Sequence, residues 1–328
     1  MPKPALRIDA HTAPLKSAFT ISRGRKTVAE TVRVEIRVGE HAGRGECVPY
    51  ARYGESVDSV IAQIETVRGE IALGAGRPEL KLLLPAGAAR CAVDCALWDL
   101  EAKRSGRPAW QLAGLAGAPV AVETAQTVTL APPADMAQLA KAIDGQLLKL
   151  KLGGPDDMAR VAAVHAARPD ARLILDGNEA ISPADLEALA REAAALGVVL
   201  IEQPLPADDD ESLRRGAFAV PVCADESAHT GADIARLAAH YDAVNVKLDK
   251  AGGLTGALEM LEAARAQGLL TMVGCMVAGS LSLAPAVIAA QGCDFADLDG
   301  PTWLADDERH GLVFDRGHVG PPDPRLWG

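Results

Sequence analysis

The second half of the chain is built from short apolar runs, each ending on a charged side chain. The runs are Leu147 to Lys151, Leu173 to Asp176, Val198 to Glu202, Val220 to Asp225 and Ala243 to Lys247. Each is nearly continuous in apolar residues, as expected of a strand buried on both faces of a parallel sheet. Their terminal charges Lys151, Asp176, Glu202, Asp225 and Lys247 recur at gaps of 25, 26, 23 and 22 residues. A strand, a crossover helix and two short loops need about 20 to 30 residues, so the spacing reads as one charge per βα unit. Helix-length segments lie between the runs. Ser182-Pro183 opens the one from Ala184 to Leu196, and Gly197 closes it.

The period extends in both directions. Val120 to Val128 supplies a first strand, Leu269 to Gly274 a seventh and Phe295 to Leu298 an eighth. Eight such strands predict an α/β barrel, whose active site lies at the carboxyl ends of the strands, where the five charges stand. The first 118 residues have another texture. Val32, Val34, Ile36 and Val38 alternate with Arg33, Glu35 and Arg37, the period of a half-buried antiparallel strand. Helical stretches follow over Ser56 to Leu73 and Gly87 to Arg104. At 328 residues the chain exceeds one barrel by a small second domain. The expected layout is an α+β domain over 1–118 packed on a barrel over 119–300, with the boundary near Gly117 to Pro119. A tail over 301–328, rich in Pro and Gly, is expected to return to the first domain.

A net charge of -11 and a pI near 5.2 argue against nucleic acid or an anionic membrane as partner, since both require a basic footprint. A small-molecule enzyme fits better. No basic region with a following apolar core and cleavage site opens the chain, so no export signal is expected. Cys47, Cys91, Cys95, Cys223, Cys275 and Cys293 form no Cys-x-x-Cys pair and stand largely in apolar contexts, which points to reduced thiols in a cytoplasmic protein. The uncharged stretch from Gln267 to Cys293 is long enough to span a bilayer, but Gly274, Gly279, Ser280, Ser282 and Pro285 interrupt it. It fits the barrel period as a strand, a loop and a buried helix.

Asp176, Glu202 and Asp225, carried on adjacent strand ends, would repel one another unless a cation sat among them. Hard oxygen donors suit Mg²⁺, one per subunit, with Mn²⁺ as a substitute. Lys151 and Lys247 come from strands on either side of the carboxylates and would face one substrate carbon from opposite sides. Lys149 shares a strand face with Lys151. A neighbouring cation and a divalent metal both lower a lysine pKa, which would free an amine base near neutrality. A positioned base contributes about 10² to 10⁴-fold, too little by itself for a hydrogen α to a carboxylate. Metal coordination of an ene-diolate supplies several kcal/mol more, and a lysine base beside Mg²⁺ suits that chemistry.

In order along the chain, Lys149-Leu150-Lys151, Asp176-Gly177-Asn178-Glu179, Glu202-Gln203-Pro204, Asp225-Glu226-Ser227 and Lys247-Leu248-Asp249-Lys250 resemble the muconate-lactonizing-enzyme subgroup of the enolase superfamily. Gly274-Cys275-Met276 and Asp297-Leu298-Asp299-Gly300 resemble, more narrowly, the dipeptide epimerases of that subgroup. The first domain adds Ile21-Ser22-Arg23-Gly24 and the run from Pro49 to Ser56. The resemblance implies a capping domain with specificity loops over a modified TIM barrel, (β/α)₇β. It also implies Mg²⁺ on Asp176, Glu202 and Asp225, 1,1-proton transfer between Lys151 and Lys247 assisted by Lys149, substrate contacts from Cys275 and Met276, and a homo-oligomer.

The remaining charges bear on the substrate. Asp297 and Asp299 are two apart on the eighth strand, so both can face the pocket and hold an ammonium group. Arg23, in a Gly-containing loop, can pair with a side-chain carboxylate, as the resemblance suggests, and its neighbours Arg25 and Lys26 could substitute for it. A ligand with a metal-bound carboxylate, an acidic α-hydrogen, a distant amine and an anionic arm describes a dipeptide such as Ala-Glu, and the role implied is recycling of cell-wall peptides. The alternatives are N-succinylamino acid racemisation or o-succinylbenzoate synthesis on the same scaffold, and a non-catalytic barrel that binds metal and ligand. Gly252-Gly253-x-x-Gly256 reads as a tight βα turn in preference to a phosphate cradle. Asp208 to Glu211 reads as a solvated helix start, and His229 as a packing residue outside the site.

Overall fold

The computed structural model describes residues 3–328. The alternating N-terminal segment forms a long hairpin, β1 (Ala5–Ile21) against β2 (Gly24–Val38), with β3 (His41–Cys47) antiparallel to β2. Val32, Val34 and Ile36 are buried, whereas Arg33, Glu35 and Arg37 lie on the outer face. The expected helix after Ser56 divides at Val67 into α1 (Val57–Thr66) and α2 (Arg68–Leu73), which turn Ile64 and Ile71 into one core. The short α3 (Arg77–Leu83) leads to α4 (Ala88–Ser105). Helix α4 lies directly on β3. A Cβ at Gly43 would stand 2.1 Å from Ala96 O, and one at Gly45 2.1 Å from Ala92 O, so only glycine permits this approach.

The barrel strands are β5 (Gln126–Val128), β6 (Leu147–Lys151), β7 (Arg172–Asp176), β8 (Val198–Glu202), β9 (Val222–Ala224), β10 (Ala243–Lys247), β11 (Leu270–Gly274) and β12 (Phe295–Asp297), parallel and hydrogen-bonded in chain order. Ala125 N donates to Ala296 O at 2.8 Å and Leu298 N to Thr124 Oγ1 at 2.7 Å, so the first and last strands meet and the ring closes. The run Val120 to Val128 is not one strand. Its first part, β4 (Val122–Glu123), leaves the barrel and pairs with β14 (His318–Val319), which is itself paired with β13 (Phe314–Asp315). Thr124 makes the break, because its hydroxyl accepts from Leu298 N in place of a backbone ladder.

The tail continues to the first domain. Trp327 Nε1 donates to Cys95 O at 3.0 Å, Gly328 N to Asp99 Oδ1 at 2.8 Å and Arg44 Nη2 to Leu326 O at 2.6 Å. The uncharged stretch resolves into β11, a loop and the buried helix Ser280–Ala289. Among the described residues no helix is long and apolar enough to cross a membrane.

Gly252 and Gly253 form a tight turn before the helix Leu254–Ala266, but its N-terminus is already occupied. Asp94 of α4 accepts from Thr255 N at 3.0 Å and Thr255 Oγ1 at 2.6 Å, while Trp98 Nε1 donates to Thr255 Oγ1. A protein carboxylate therefore takes the place a phosphate would have had. At the other end of the first domain the β1–β2 hairpin lies over the barrel mouth, where Thr20 N donates to Thr129 Oγ1 and Leu130 N to Thr20 O.

Candidate active site

Lys151, Asp176, Glu202 and Lys247 are the last residues of β6, β7, β8 and β10, and Asp225 follows β9 directly. Register places Lys151 beside Asp176 and Asp176 beside Glu202. In a closed ring of eight, β6 and β10 stand opposite each other, so Lys151 and Lys247 enter one cavity from facing sides. That cavity, about 260 Å³, is lined also by Lys149, Asp225, Cys275, Met276, Asp297 and Asp299 from the barrel, and by Phe19, Arg23 and Tyr50 from the first domain. It is at the small end of ligand pockets.

The buried charges are close to balanced. Lys151 Nζ lies 2.5 Å from Asp176 Oδ2 and Lys247 Nζ 2.6 Å from Asp225 Oδ2. Lys149 Nζ lies 2.6 Å from Glu202 Oε2, 2.7 Å from Asp297 Oδ2 and 3.1 Å from Asp176 Oδ2. Lys250 Nζ completes the set at 2.6 Å from Asp225 Oδ1. Four ammonium groups thus face four carboxylates in a site almost without solvent.

The amines of Lys149 and Lys247 are not depressed in this arrangement. Burial disfavours the charge on Lys149, but Asp176, Asp297 and Glu202 outweigh it and hold the ammonium well above the ordinary lysine range. Lys247 is raised in the same way by Asp225 and Glu202. For these two the expected depression needs a further cation, because here both serve as counterions to the carboxylates. Glu202 shows what remains uncompensated. Burial, with the charge of Asp176, pushes its carboxyl up to about 8. Its Oε2 is close to Lys149 yet has no aligned hydrogen bond, because that ammonium is shared among three carboxylates.

Among the described residues, no three His, Cys, Asp or Glu side chains converge as a finished metal cradle. Asp176, Glu202 and Asp225 are each paired with a lysine. The donor chemistry nonetheless fits a hard divalent ion: three carboxylates on consecutive strand ends, with Glu202 Oε2 buried and lacking a hydrogen bond. A divalent cation would bring two positive charges into the balanced set. A substrate carboxylate and the loss of one lysine proton would offset them, leaving one neutral amine as base.

Asp297 Oδ2 faces Lys149, while its Oδ1 is buried without a partner. Asp299 accepts from Thr127 N at 2.7 Å and Trp303 Nε1 at 3.2 Å. Burial, with the charge of Asp297, lifts its carboxyl to about 6. An ammonium group entering here would find an unfilled acceptor and relieve a carboxylate pair. Cys275 and Met276 reach the cavity as half-buried side chains, and burial pushes the Cys275 thiol well up.

Arg23 lines the cavity, but its guanidinium is engaged by the protein. It donates to Glu226 Oε1 at 2.6 Å, Glu179 Oε2 at 3.1 Å, Asn178 O at 2.8 Å and Tyr50 OH at 3.3 Å. Arg52 binds the same Glu179 with two donors, at 2.6 and 2.9 Å. These pairs tie the first domain to the barrel loops. His229 stays outside the cavity lining, edge-on to Tyr53 and hydrogen-bonded to Glu226 O.

Several supporting residues escaped sequence reasoning. Asn245 Nδ2 donates to Glu202 Oε1 at 2.8 Å, and its place two before Lys247 is the same signal that marks Lys149 beside Lys151. Gln203 Oε1 accepts from Asp225 N and Ser227 N, holding one carboxylate loop from the neighbouring strand end. Asn178, Glu179 and Gln203 adopt positive φ of 43, 67 and 31°, which for non-glycine residues costs on the order of 1–3 kcal/mol each and gathers at functional sites. No feature of the sequence announces that strain.

Known proteins match the chain across both of its domains. Residues 5–114 match the mandelate racemase / muconate lactonizing enzyme N-terminal domain, and residues 134–325 match the enolase C-terminal domain-like model. The chain is 45% identical over 309 residues to the L-Ala-D/L-Glu epimerase of Escherichia coli K12, covering 93% of this chain and 96% of that one. It is 40% identical over 298 residues to the N-acetyl-D-glutamate racemase of a Pseudoalteromonas species, covering 90% and 94%. A crystal structure of an enolase family member from Agrobacterium tumefaciens, described as homologous to dipeptide epimerases and holding sodium and L-Ala-L-Glu, superposes with a TM-score of 0.97 at 48% identity over 99% of this chain and 100% of that one. Three further solved dipeptide epimerases, at 28, 30 and 26% identity, hold Mg and a dipeptide. The chain belongs to the mandelate racemase / muconate lactonizing enzyme family, with the N-terminal domain and the enolase-like barrel of that family both present.

Proposed function

We propose that this chain is a Mg²⁺-dependent dipeptide epimerase that interconverts L-Ala-D-Glu and L-Ala-L-Glu in the cytoplasm, as a homo-oligomer serving the recycling of cell-wall peptides. The observation that carries the reading is the pair of lysines on opposing strands of one ring, Lys151 and Lys247, facing a single small cavity. One lysine removes the α-proton of the C-terminal residue, and the other returns a proton to the opposite face. Reaction in the other direction exchanges their roles. Asp176, Glu202 and Asp225 would hold Mg²⁺, which when bound supplies positive charge to the substrate carboxylate as the α-carbon loses its proton. Lys149, fixed among Asp176, Glu202 and Asp297, adds a positive charge beside that carboxylate. Cys275 and Met276 line the cavity on the barrel side.

Asp297 and Asp299 receive the free amine of the dipeptide. The unpartnered, buried Asp297 Oδ1 favours an ammonium ligand over an N-acyl amino acid, which brings no charge to this end. A second reading, racemisation of an N-acyl amino acid such as N-acetylglutamate, is favoured by the 40% identical relative.

The two are separated by following epimerisation of L-Ala-L-Glu and racemisation of N-acetyl-L-glutamate by wild type and Asp297→Asn. The dipeptide reading expects L-Ala-L-Glu to be the better substrate, and its kcat/KM to fall about tenfold to hundredfold in the variant, since hydrogen bonds to charged groups carry about 1.5–3 kcal/mol. A preference for N-acetyl-L-glutamate that Asp297→Asn leaves intact would establish the second reading.

A further inference from the structure

The segment that follows the eighth barrel strand ties the amine end of the cavity to the hairpin of the first domain. After β12 the chain turns through Gly300–Trp303, a short 3₁₀ turn in which Thr302 N and Thr302 Oγ1 both donate to Asp299 O. It then runs against β1. Lys16 Nζ donates to Thr302 O at 3.0 Å, Ala305 N donates to Pro14 O at 2.9 Å, and Leu304 pairs with Leu15. The pairing of β1 with β2 shifts register between Pro14 and Phe19, so the hairpin ladder alone does not fix the stretch that leads to Phe19. The segment after β12 packs on that stretch.

Trp303 uses both the polar and the aromatic part of its side chain here. Its Nε1 donates to Asp299 Oδ2 at 3.2 Å, the same oxygen that accepts from Thr127 N at 2.7 Å. Its ring stands edge-on to Phe19, with centroids 4.8 Å apart and planes at 89°, an arrangement that aromatic pairs favour. The Phe19 ring centroid lies 5.7 Å from Lys151 Nζ. Asp299 and Phe19 line the cavity, and Trp303 stands behind them, half-buried. One indole therefore touches both the carboxylate assigned to the substrate amine and the ring beside one of the two bases.

We infer that Trp303 is a positioning residue that sets the amine pocket against the Lys151 base: its N–H fixes the Asp299 carboxylate, and its ring edge fixes Phe19 beside Lys151. The inference rests on the dipeptide reading above and extends it to a side chain that meets no substrate. In a dipeptide the ammonium and the reacting α-carbon are separated by a single planar peptide unit, which limits the distance between them. The groups that receive the two ends must hold a matching separation, and a rigid bicyclic ring can bridge the two sides of the wall. The indole N–H also favours the ionised form of Asp299, whose carboxyl is otherwise lifted by burial and by the charge of Asp297.

The test sets L-Ala-L-Glu against N-propionyl-L-glutamate, the same molecule with hydrogen in place of the ammonium. Both kcat and KM are measured for the dipeptide, with the constant at which the propionyl compound competes, in wild type, Trp303→Phe, Trp303→Leu and Phe19→Leu. Trp303→Phe keeps a ring against Phe19 and removes the N–H. Its KM for L-Ala-L-Glu should rise about threefold to tenfold, while kcat and the competition constant stay within about twofold of wild type. Trp303→Leu, which also withdraws the ring, should add a fall in kcat of about threefold or more. Phe19→Leu should show that fall in kcat without the loss of preference for the free amine. Equal weakening of both ligands in Trp303→Phe, or of neither, would overturn the assignment, as would an unchanged kcat in Phe19→Leu. Wild-type enzyme that leaves L-Ala-L-Glu unchanged, or binds the propionyl compound more tightly, would overturn the dipeptide reading itself, and this inference with it.

Discussion

Asp249 illustrates how far burial can move a single carboxylate near this site. Its Oδ1 accepts from Val48 N at 2.8 Å, and it lies in the field of Glu55, Glu46 and Lys247. Burial, joined by the negative charges of Glu55 and Glu46, lifts its carboxyl to about 7. A carboxyl raised on folding leaves stability fully present below its unfolded pKa, near 3.8, and removes it as pH rises toward 7, because the folded state then holds the extra proton. The loss is on the order of 4 kcal/mol once ionisation is complete. Asp249→Asn keeps an acceptor for Val48 N and cannot ionise. Urea unfolding should therefore show the variant gaining on wild type between pH 5 and pH 8. Parallel stability profiles for the two proteins would show that Asp249 ionises in the folded state without cost.

Among the elements, the barrel strands were the most legible. Long apolar runs with a charge at the end leave little choice of register, since each strand is buried on both faces. The divided first strand was not legible, because β4 and β5 are two and three residues long and their separation depends on one Thr124 hydroxyl meeting a strand 174 residues away. The glycine turn before Leu254–Ala266 is legible in the sequence, but its partner is not, since Asp94 lies in α4 of the other domain. Asp94 caps that helix from outside the barrel and is itself lifted to about 6 by burial. Replacing it with Ala removes both acceptors of Thr255. A loss of about 1–3 kcal/mol in unfolding free energy is expected. An unchanged urea midpoint would mean that the two domains do not depend on this clasp.

For the molecule as a whole, the places of the ring residues were legible because charges repeat with the βα period, whereas the partners that hold them were not. Lys250 and Asn245 act on side chains, and Gln203 on backbone amides, supplied by other strand ends. Arg23 shows the same limit from the other domain: its motif is plain in the sequence, while its engagement by Glu226 and Glu179 depends on how the hairpin lies over the barrel. The two-domain design brings one set of charges down on another, and the chemistry proposed here depends on Lys151 and Lys247 standing on opposite sides of the substrate. Proton NMR in D₂O, following the glutamate α-proton of L-Ala-L-Glu and of L-Ala-D-Glu with Mg²⁺, tests that arrangement directly. Wild type should wash out the α-proton of both diastereomers and interconvert them. Lys151→Ala and Lys247→Ala should each abolish interconversion, each retaining washout from one diastereomer only, and not the same one. Washout from both diastereomers in either variant would contradict the two-base account.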